Sequence, residues 1–247
     1  VLALLKVENL TVSIQNKIVV KNANFHIPTG ETHVLFGLNG SGKTSLLQAI
    51  MGNPKFKIEE GRIIFKGKDI TKMPINERAK LGIGIAFQSP PAIRGVKLRD
   101  ILKICAKNDG ERIISLAREL DLEEFLDRDI NLGFSGGEVK RAELLQLLAQ
   151  NPNFILLDEP DSGVDLVNIS LIGKAINKLL EKDKKQIERK KSALIITHTG
   201  HILDYVNADK GYVMIAGRVV CSGNPRDMLE TIRRRGYEEC VRCLRRY

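Results

Sequence analysis

The chain has 247 residues, 43% of them apolar, and a formal net charge of +9. That size suits one large core, or one core with an inserted lobe, and no run approaches the ~18 consecutive apolar residues of a membrane span. The opening VLALL is too short for a signal-peptide core, so the expected place is cytoplasmic, with no direct membrane insertion and any membrane contact made through a partner.

From the start, Leu5, Val7, Val12 and Ile14 alternate around a polar break, which predicts short strands, and KIVVKNANFHI reads as a second strand pair. Pro28 to Glu31 form a turn, and THVLF (Thr32 to Phe36) is a core strand. GLNGSGKT follows at residues 37 to 44 and fits G-x-x-x-x-G-K-[ST]. It stands between that strand and a helix, Ser45 to Met51, which Gly52-Asn53-Pro54 stops. Gly37, Leu38, Asn39, Gly40, Ser41 and Gly42 would cradle phosphates with backbone N–H groups, since glycine leaves no side chain in the way. Lys43 would reach the β- and γ-phosphates and the Thr44 hydroxyl would hold Mg²⁺, while Ser45 opens a helix whose positive end favours an anion.

Gly61 to Lys66 read as another strand, giving a small antiparallel layer beside the nucleotide core. Residues 76 to 82 are a short helix, and IGIAFQ is a buried strand ending in Gln88. A Pro- and Gly-punctuated loop leads to two helices between Lys97 and Phe125, separated by Asn108-Asp109-Gly110. Residues 89–134 therefore read as a helical lobe inserted into a single domain, with 1–88 and 135–247 forming the core and its β-subdomain. Ser135 is placed to cap a helix with Glu138 as its capping-box partner, and Leu144, Leu145, Leu147 and Leu148 give that helix an apolar face. FILLDEP is a buried strand ending in Asp158 and Glu159. Asp161 to Asp165 form a tight loop, a helix runs over roughly 166–190, and ALIITHT is a strand ending in His198. A hairpin turning at Ala216-Gly217 and a basic helix close the chain.

Almost all the excess positive charge lies in residues 174–191 and 226–247. Tyr237 and Tyr247 are the only aromatics in these stretches, too few to interleave with the basic residues, so a solvated helix face and a polar tail are the favoured reading and nucleic-acid binding is disfavoured. Cys240 and Cys243 form a C-x-x-C, but no second such pair exists to complete a four-ligand zinc site.

Three buried strands thus end in polar groups: Gln88, Asp158-Glu159 and His198. In a parallel α/β sheet the carboxyl ends of strands line one crevice, so these groups and the phosphate loop would meet at one nucleotide. On these residues the chain resembles an ATPase of the ABC class, a P-loop NTPase fold with a mainly parallel core sheet. GLNGSGKT is similar to the Walker A loop, Gln88 to the Q-loop, FSGGE (Phe134 to Glu138) to the signature loop, FILLDEP to Walker B, Asp161 to Asp165 to the D-loop and His198 to the switch histidine. The resemblance implies ATP as substrate and Mg²⁺ held by Thr44, Gln88 and Asp158. It implies Glu159 as the catalytic carboxylate, assisted by Lys43, Gln88 and His198. It also implies an ATP-dependent homodimer in which Ser135, Gly136 and Gly137 of one subunit meet the γ-phosphate held by the other. Many members stack an aromatic on adenine; none stands near Val12 to Ile14, so the base is expected on aliphatic side chains.

Finer stretches resemble the SufC branch, ATPases of an iron–sulfur cluster assembly scaffold: AFQSPPAIRGV, NLGFSGGEVKRAELLQ and ITHTGHILDYVNAD. Transporter subunits more often carry Leu before the signature Ser and Gln in place of Glu138. Val139, Ala142 and a short lobe near Lys107 to Gly110 depart from the branch pattern. The resemblance implies SufB- and SufD-like scaffold partners docked on the helical lobe. The alternative it leaves is the ATPase subunit of a transporter. A chromosome-maintenance or repair ATPase is disfavoured because only about ninety residues, without sustained heptads, separate the two loops. A non-hydrolysing ATP binder is disfavoured because every catalytic position is filled.

Overall fold

The computed structural model describes residues 3–244, with side chains except for Leu166 and 241–244. Val1 and Leu2 of the opening VLALL, residues 245–247 of the basic end and the side chain of Cys243 lie outside the described residues.

The first 28 residues differ from the expected short strands. β1 (Ala3–Ile14) and β2 (Lys17–Pro28) are two long antiparallel strands, paired from Ala3–Pro28 to Ile14–Lys17. The polar break is a bulge, not an end: Asn9 and Asn22 take positive φ, and the Asn24 side chain accepts from the Asn9 N–H and donates to the Asn22 carbonyl. Asparagine tolerates that backbone better than most residues, so the strand passes through.

β3 (Thr32–Phe36) leads through the Gly-rich loop into α1 (Lys43–Met51). β4 (Lys57–Phe65) begins earlier than Gly61, which lies inside the strand at φ 83°. A Cβ there would collide with the Glu8 and Asn9 carbonyls, so Gly61 accommodates the β1 bulge instead of opening a strand. β5 (Lys68–Asp69), α2 (Ile75–Lys80) and β6 (Ile83–Ala86) follow, with Gln88 two residues past the end of β6. Next come α3 (Leu98–Cys105), α4 (Gly110–Glu119), α5 (Gly136–Gln150), β7 (Phe154–Asp158) and α6 (Leu166–Leu179). α6 stops eleven residues short of the expected end. Its buried stripe (Ile169, Ile172, Ile176, Leu179, Leu180) has no successor in the Lys-rich run, and Glu181 turns the chain at φ 54°. The basic segment is therefore mostly turn, with a short 3₁₀ stretch at Gln186–Glu188, and not a helix face. β8 (Ser192–Thr197), β9 (Lys210–Ile215), β10 (Arg218–Gly223) and α7 (Pro225–Leu244) complete the chain; α7 is broken at Gly236.

Among the described residues the strands form an antiparallel sheet, β2-β1-β4-β5, and a core sheet, β10-β9-β3-β8-β7-β6. In the core sheet only β10 runs antiparallel to its neighbour. Alternation along the strands splits the interior in two. Leu35, Leu156, Leu194 and Ile196 pack with α1 and the small sheet, while Phe36, Ile155, Leu157 and Ile195 pack with α5 and α6. Leu46, Leu47 and Ile50 of α1 are wholly buried, each contributing about 2 kcal/mol by removal of apolar surface from water.

A buried arginine fixes the far end of α1. The Arg78 guanidinium donates to the carbonyls of Ala49, Ile50, Thr71 and Met73, and burial pushes its pKa down to about 10. Arg78→Ala would strand several buried carbonyls at about 1–3 kcal/mol each. We expect about 3–5 kcal/mol of destabilisation, read as a fall of about 6–20 °C in Tm by calorimetry at this chain length. A shift below 2 °C would contradict it.

Candidate active site

The loop after β3 is shaped by close backbone approach. A Cβ on Gly37 would stand 2.6 Å from the Met214 carbonyl and from Ser41 Oγ. Gly42, at φ 105°, leaves no room for one beside the Val19 carbonyl, 2.6 Å away. The β9–β10 turn braces the loop: the Gly217 N–H donates to the Ser41 carbonyl (2.9 Å), and the Lys21 N–H donates to the Gly217 carbonyl (2.8 Å). Leu38, Asn39 and Gly40 stay exposed at the tip. Lys43 Nζ donates to the carbonyls of Gly37 (2.8 Å) and Leu38 (3.0 Å). Burial lowers its pKa, against the opposing pull of Glu159 and Asp158. No side chain caps the N-terminus of α1, so its first N–H groups, Lys43 to Ser45, remain aimed donors for an anion.

The two carboxylates of β7 meet this loop from the other side. Thr44 Oγ1 donates to Asp158 Oδ1 at 3.2 Å. Burial raises the Asp158 pKa, the Thr44 hydrogen bond lowers it, and neighbouring Glu159 raises it again. The Thr44 hydroxyl, the Asp158 carboxylate and the Gln88 amide oxygen are hard donors of the type Mg²⁺ takes, and a cation there would offset the penalty on a charged Asp158. Glu159 sits just past the strand at φ 49°, its N–H tied to the Ile196 carbonyl at 3.0 Å. Its Oε2 accepts from Gln88 Nε2 at 2.6 Å. Its Oε1 lies 3.0 Å from His198 Nδ1 but out of line for a hydrogen bond. Buried Asp161 gathers the loop carrying His198, accepting from Thr197 Oγ1 (3.0 Å), Thr199 Oγ1 (2.6 Å) and the Ile202 N–H (3.2 Å). Four strand ends thus converge because β3, β8, β7 and β6 run parallel.

Two residues that hold Gln88 escaped the sequence reading. Glu143 Oε2 accepts the Phe87 N–H (2.9 Å), while Lys140 Nζ donates to the Gln88 carbonyl (2.8 Å) and the Phe87 carbonyl (3.3 Å). Both are buried on α5; burial lowers the Lys140 pKa and raises that of Glu143. The signal was present: a charged pair at i, i+3, in line with buried Leu144 and Leu147, marks a functional interruption of an apolar stripe.

The phosphate loop, Gln88 and Glu159 border a cleft of about 650 Å³, with Asp158 and His198 set behind its lining. Ile14, Ile18 and Val19 line one wall, the phosphate loop another, and Gln88 and Glu159 the end; no aromatic lines it. Ser135, Gly136 and Gly137 do not line it. They start α5, where Ser135 and Glu138 form a reciprocal capping box, and a Cβ on Gly137 would stand 2.5 Å from Asn168 Cγ. One chain therefore assembles the phosphate loop, both carboxylates, Gln88 and His198, and leaves the Ser135 helix start outside the cleft. Cys240 is buried with its Sγ 3.9 Å from the Met228 carbonyl, and among the described residues no group of three or more His, Cys, Asp or Glu side chains is placed to hold a metal ion.

Comparison with known proteins agrees with this geometry. The ABC transporter family profile matches residues 20–162. A probable ATP-dependent transporter, ycf16, of Cyanidium caldarium is 39% identical, over 96% of each chain. A probable ABC transporter ATP-binding protein of Streptococcus pyogenes serotype M3 is 38% identical, over 90% of each. The ADP conformation of an ATP-binding cassette of an ABC transporter superposes with a TM-score of 0.77 at 25% identity, covering 97% of this chain and 98% of that one.

Proposed function

The chain belongs to the ABC transporter family and is an ATP-hydrolysing cassette; from that premise we propose that it is a SufC-like subunit, closing as a homodimer on ATP to drive a SufB/SufD-like iron–sulfur assembly scaffold. The observation that carries the catalytic part is the seat of Glu159 between Gln88 and His198, one residue beyond the Asp158–Thr44 pair. Glu159 orients or deprotonates the attacking water, and Lys43 stabilises charge on the β- and γ-phosphates. His198 holds the γ-phosphate side, and Gln88, anchored through Lys140 and Glu143 to α5, relays the nucleotide state toward the helical lobe. Bound at Thr44, Asp158 and Gln88, Mg²⁺ would neutralise phosphate oxygens. Ser135, Gly136 and Gly137 complete the site of the partner subunit, which is why they need not line their own cleft.

The SufC-like part rests on residues 86–96, 131–146 and 196–209, including Phe134 before the signature Ser and Glu138 after it. Among the described residues no helix is long and apolar enough to cross a membrane. Exposed Ile93 and Ile104 give the lobe apolar contact points for a scaffold. Relatives named as transporter ATP-binding proteins favour the second reading, a transporter's ATPase subunit. A pull-down of tagged protein from its own extract, read by mass spectrometry, separates the two. A soluble scaffold that raises ATPase activity on addition supports the SufC-like role. A membrane permease in its place overturns it.

A further inference from the structure

The C-terminal helix reaches the catalytic loops, and no motif assigns it a role there. Its first half packs Leu229 against Gly200, so closely that Gly200 has no room for a Cβ. At Gly236 the backbone leaves the helix (φ 80°, ψ 175°), a conformation open essentially to glycine alone, and the chain re-enters a second half that starts with Tyr237. The half-buried Tyr237 hydroxyl donates to the His198 carbonyl at 3.3 Å and lies near the backbone of Gly37, the first glycine of the phosphate loop. Burial holds this phenol above its ordinary pKa, so it remains a donor through neutral pH. Buried Cys240, one turn on, anchors the same half-helix near Met228.

We propose that Tyr237 is a positioning residue for turnover, tying the His198 loop to α7 so that α7 sets where the histidine stands. The inference rests on the reading of His198 as a γ-phosphate group. A tyrosine hydroxyl serves this role because it donates to the loop's carbonyl while its ring packs within the half-buried start of the second half-helix. The His198 loop then follows α7, and the break at Gly236 lets one helix touch both Gly200 and His198.

The test is steady-state ATPase kinetics on the full chain for Tyr237→Phe, His198→Ala and the double variant, with melting temperatures recorded. Tyr237→Phe removes only the hydroxyl. It is expected to lower kcat about five-fold, the effect of one hydrogen bond, with KM for ATP and Tm unchanged. In the His198→Ala background it should have no further effect. Gly236→Ala gives an independent check. Its Cβ would meet nothing within 4 Å, so it acts through the backbone alone, and it should lower kcat as Tyr237→Phe does. Wild-type kcat for Tyr237→Phe beside a slow His198→Ala overturns this inference and leaves the His198 reading intact. Equal losses in both backgrounds also overturn it. Wild-type turnover for His198→Ala overturns the underlying reading itself.

Discussion

Glu159→Gln is expected to lower ATP turnover by about 10²- to 10³-fold while leaving ATP binding in place. The argument follows from what the carboxylate touches. Gln88 Nε2 donates to Oε2 at 2.6 Å, and His198 Nδ1 stands 3.0 Å from Oε1, so the group is held on both sides at the end of the cleft. Glutamine keeps the volume and one acceptor oxygen, so the loop at φ 49° keeps its shape. It removes the carboxylate proposed to take a proton from water, and it removes a negative charge beside buried Asp158. Phosphate binding, which the proposed site assigns to the α1 N-terminus and Lys43, should be untouched. In the proposed cycle hydrolysis reopens the ATP-closed dimer, so the variant should accumulate as a dimer with ATP. Gel filtration of Glu159→Gln with and without ATP measures this. A variant that stays monomeric with saturating ATP refutes the proposed site.

The parts of this site that were legible in the sequence share a physical cause. FILLD and ALIIT are short, mainly apolar runs because parallel strands covered on both faces favour apolar side chains, and each ends abruptly in polar residues where the sheet ends, while THVLF ends in the Gly-rich loop. The Gly-rich loop was legible because close backbone approach excludes side chains, which Gly37 and Gly42 bear out against the Met214 and Val19 carbonyls. What was not legible depends on contacts between distant segments. Gly61 looked like a strand start because its reason lies in Asn9, across the sheet. The end of α6 was misplaced because lysine is a good helix former, and only the missing apolar stripe after Leu180 shows that nothing there packs. Arg78, Lys140 and Glu143 bind backbone carbonyls and N–H groups, which carry no sequence identity, so their partners leave no trace in the residue pattern. Asp161 was read as part of a tight loop, yet it organises the His198 segment through two threonines more than thirty residues away.

Lys43→Ala is expected to weaken ATP binding about 10- to 100-fold with little change in folding stability. The ammonium is buried and donates to the Gly37 and Leu38 carbonyls, close to where phosphate oxygens would lie over the α1 N-terminus. A charge-assisted hydrogen bond to phosphate contributes about 1.5–3 kcal/mol, which sets that range. The stability effect is small for a separate reason. Burial already disfavours the charged amine, as its lowered pKa records, so removing it relieves a desolvation cost that offsets the two lost carbonyl contacts. The loop keeps its brace from Gly217 on the Ser41 carbonyl. Titration calorimetry across ATP, ADP and AMP makes the test specific. The proposed role of Lys43 is on the β- and γ-phosphates, so the loss should be greatest for ATP and near zero for AMP. Equal losses for all three would mean that the loop had collapsed. Unchanged ATP affinity would mean that Lys43 never leaves the carbonyls it holds, and either result would contradict its assignment.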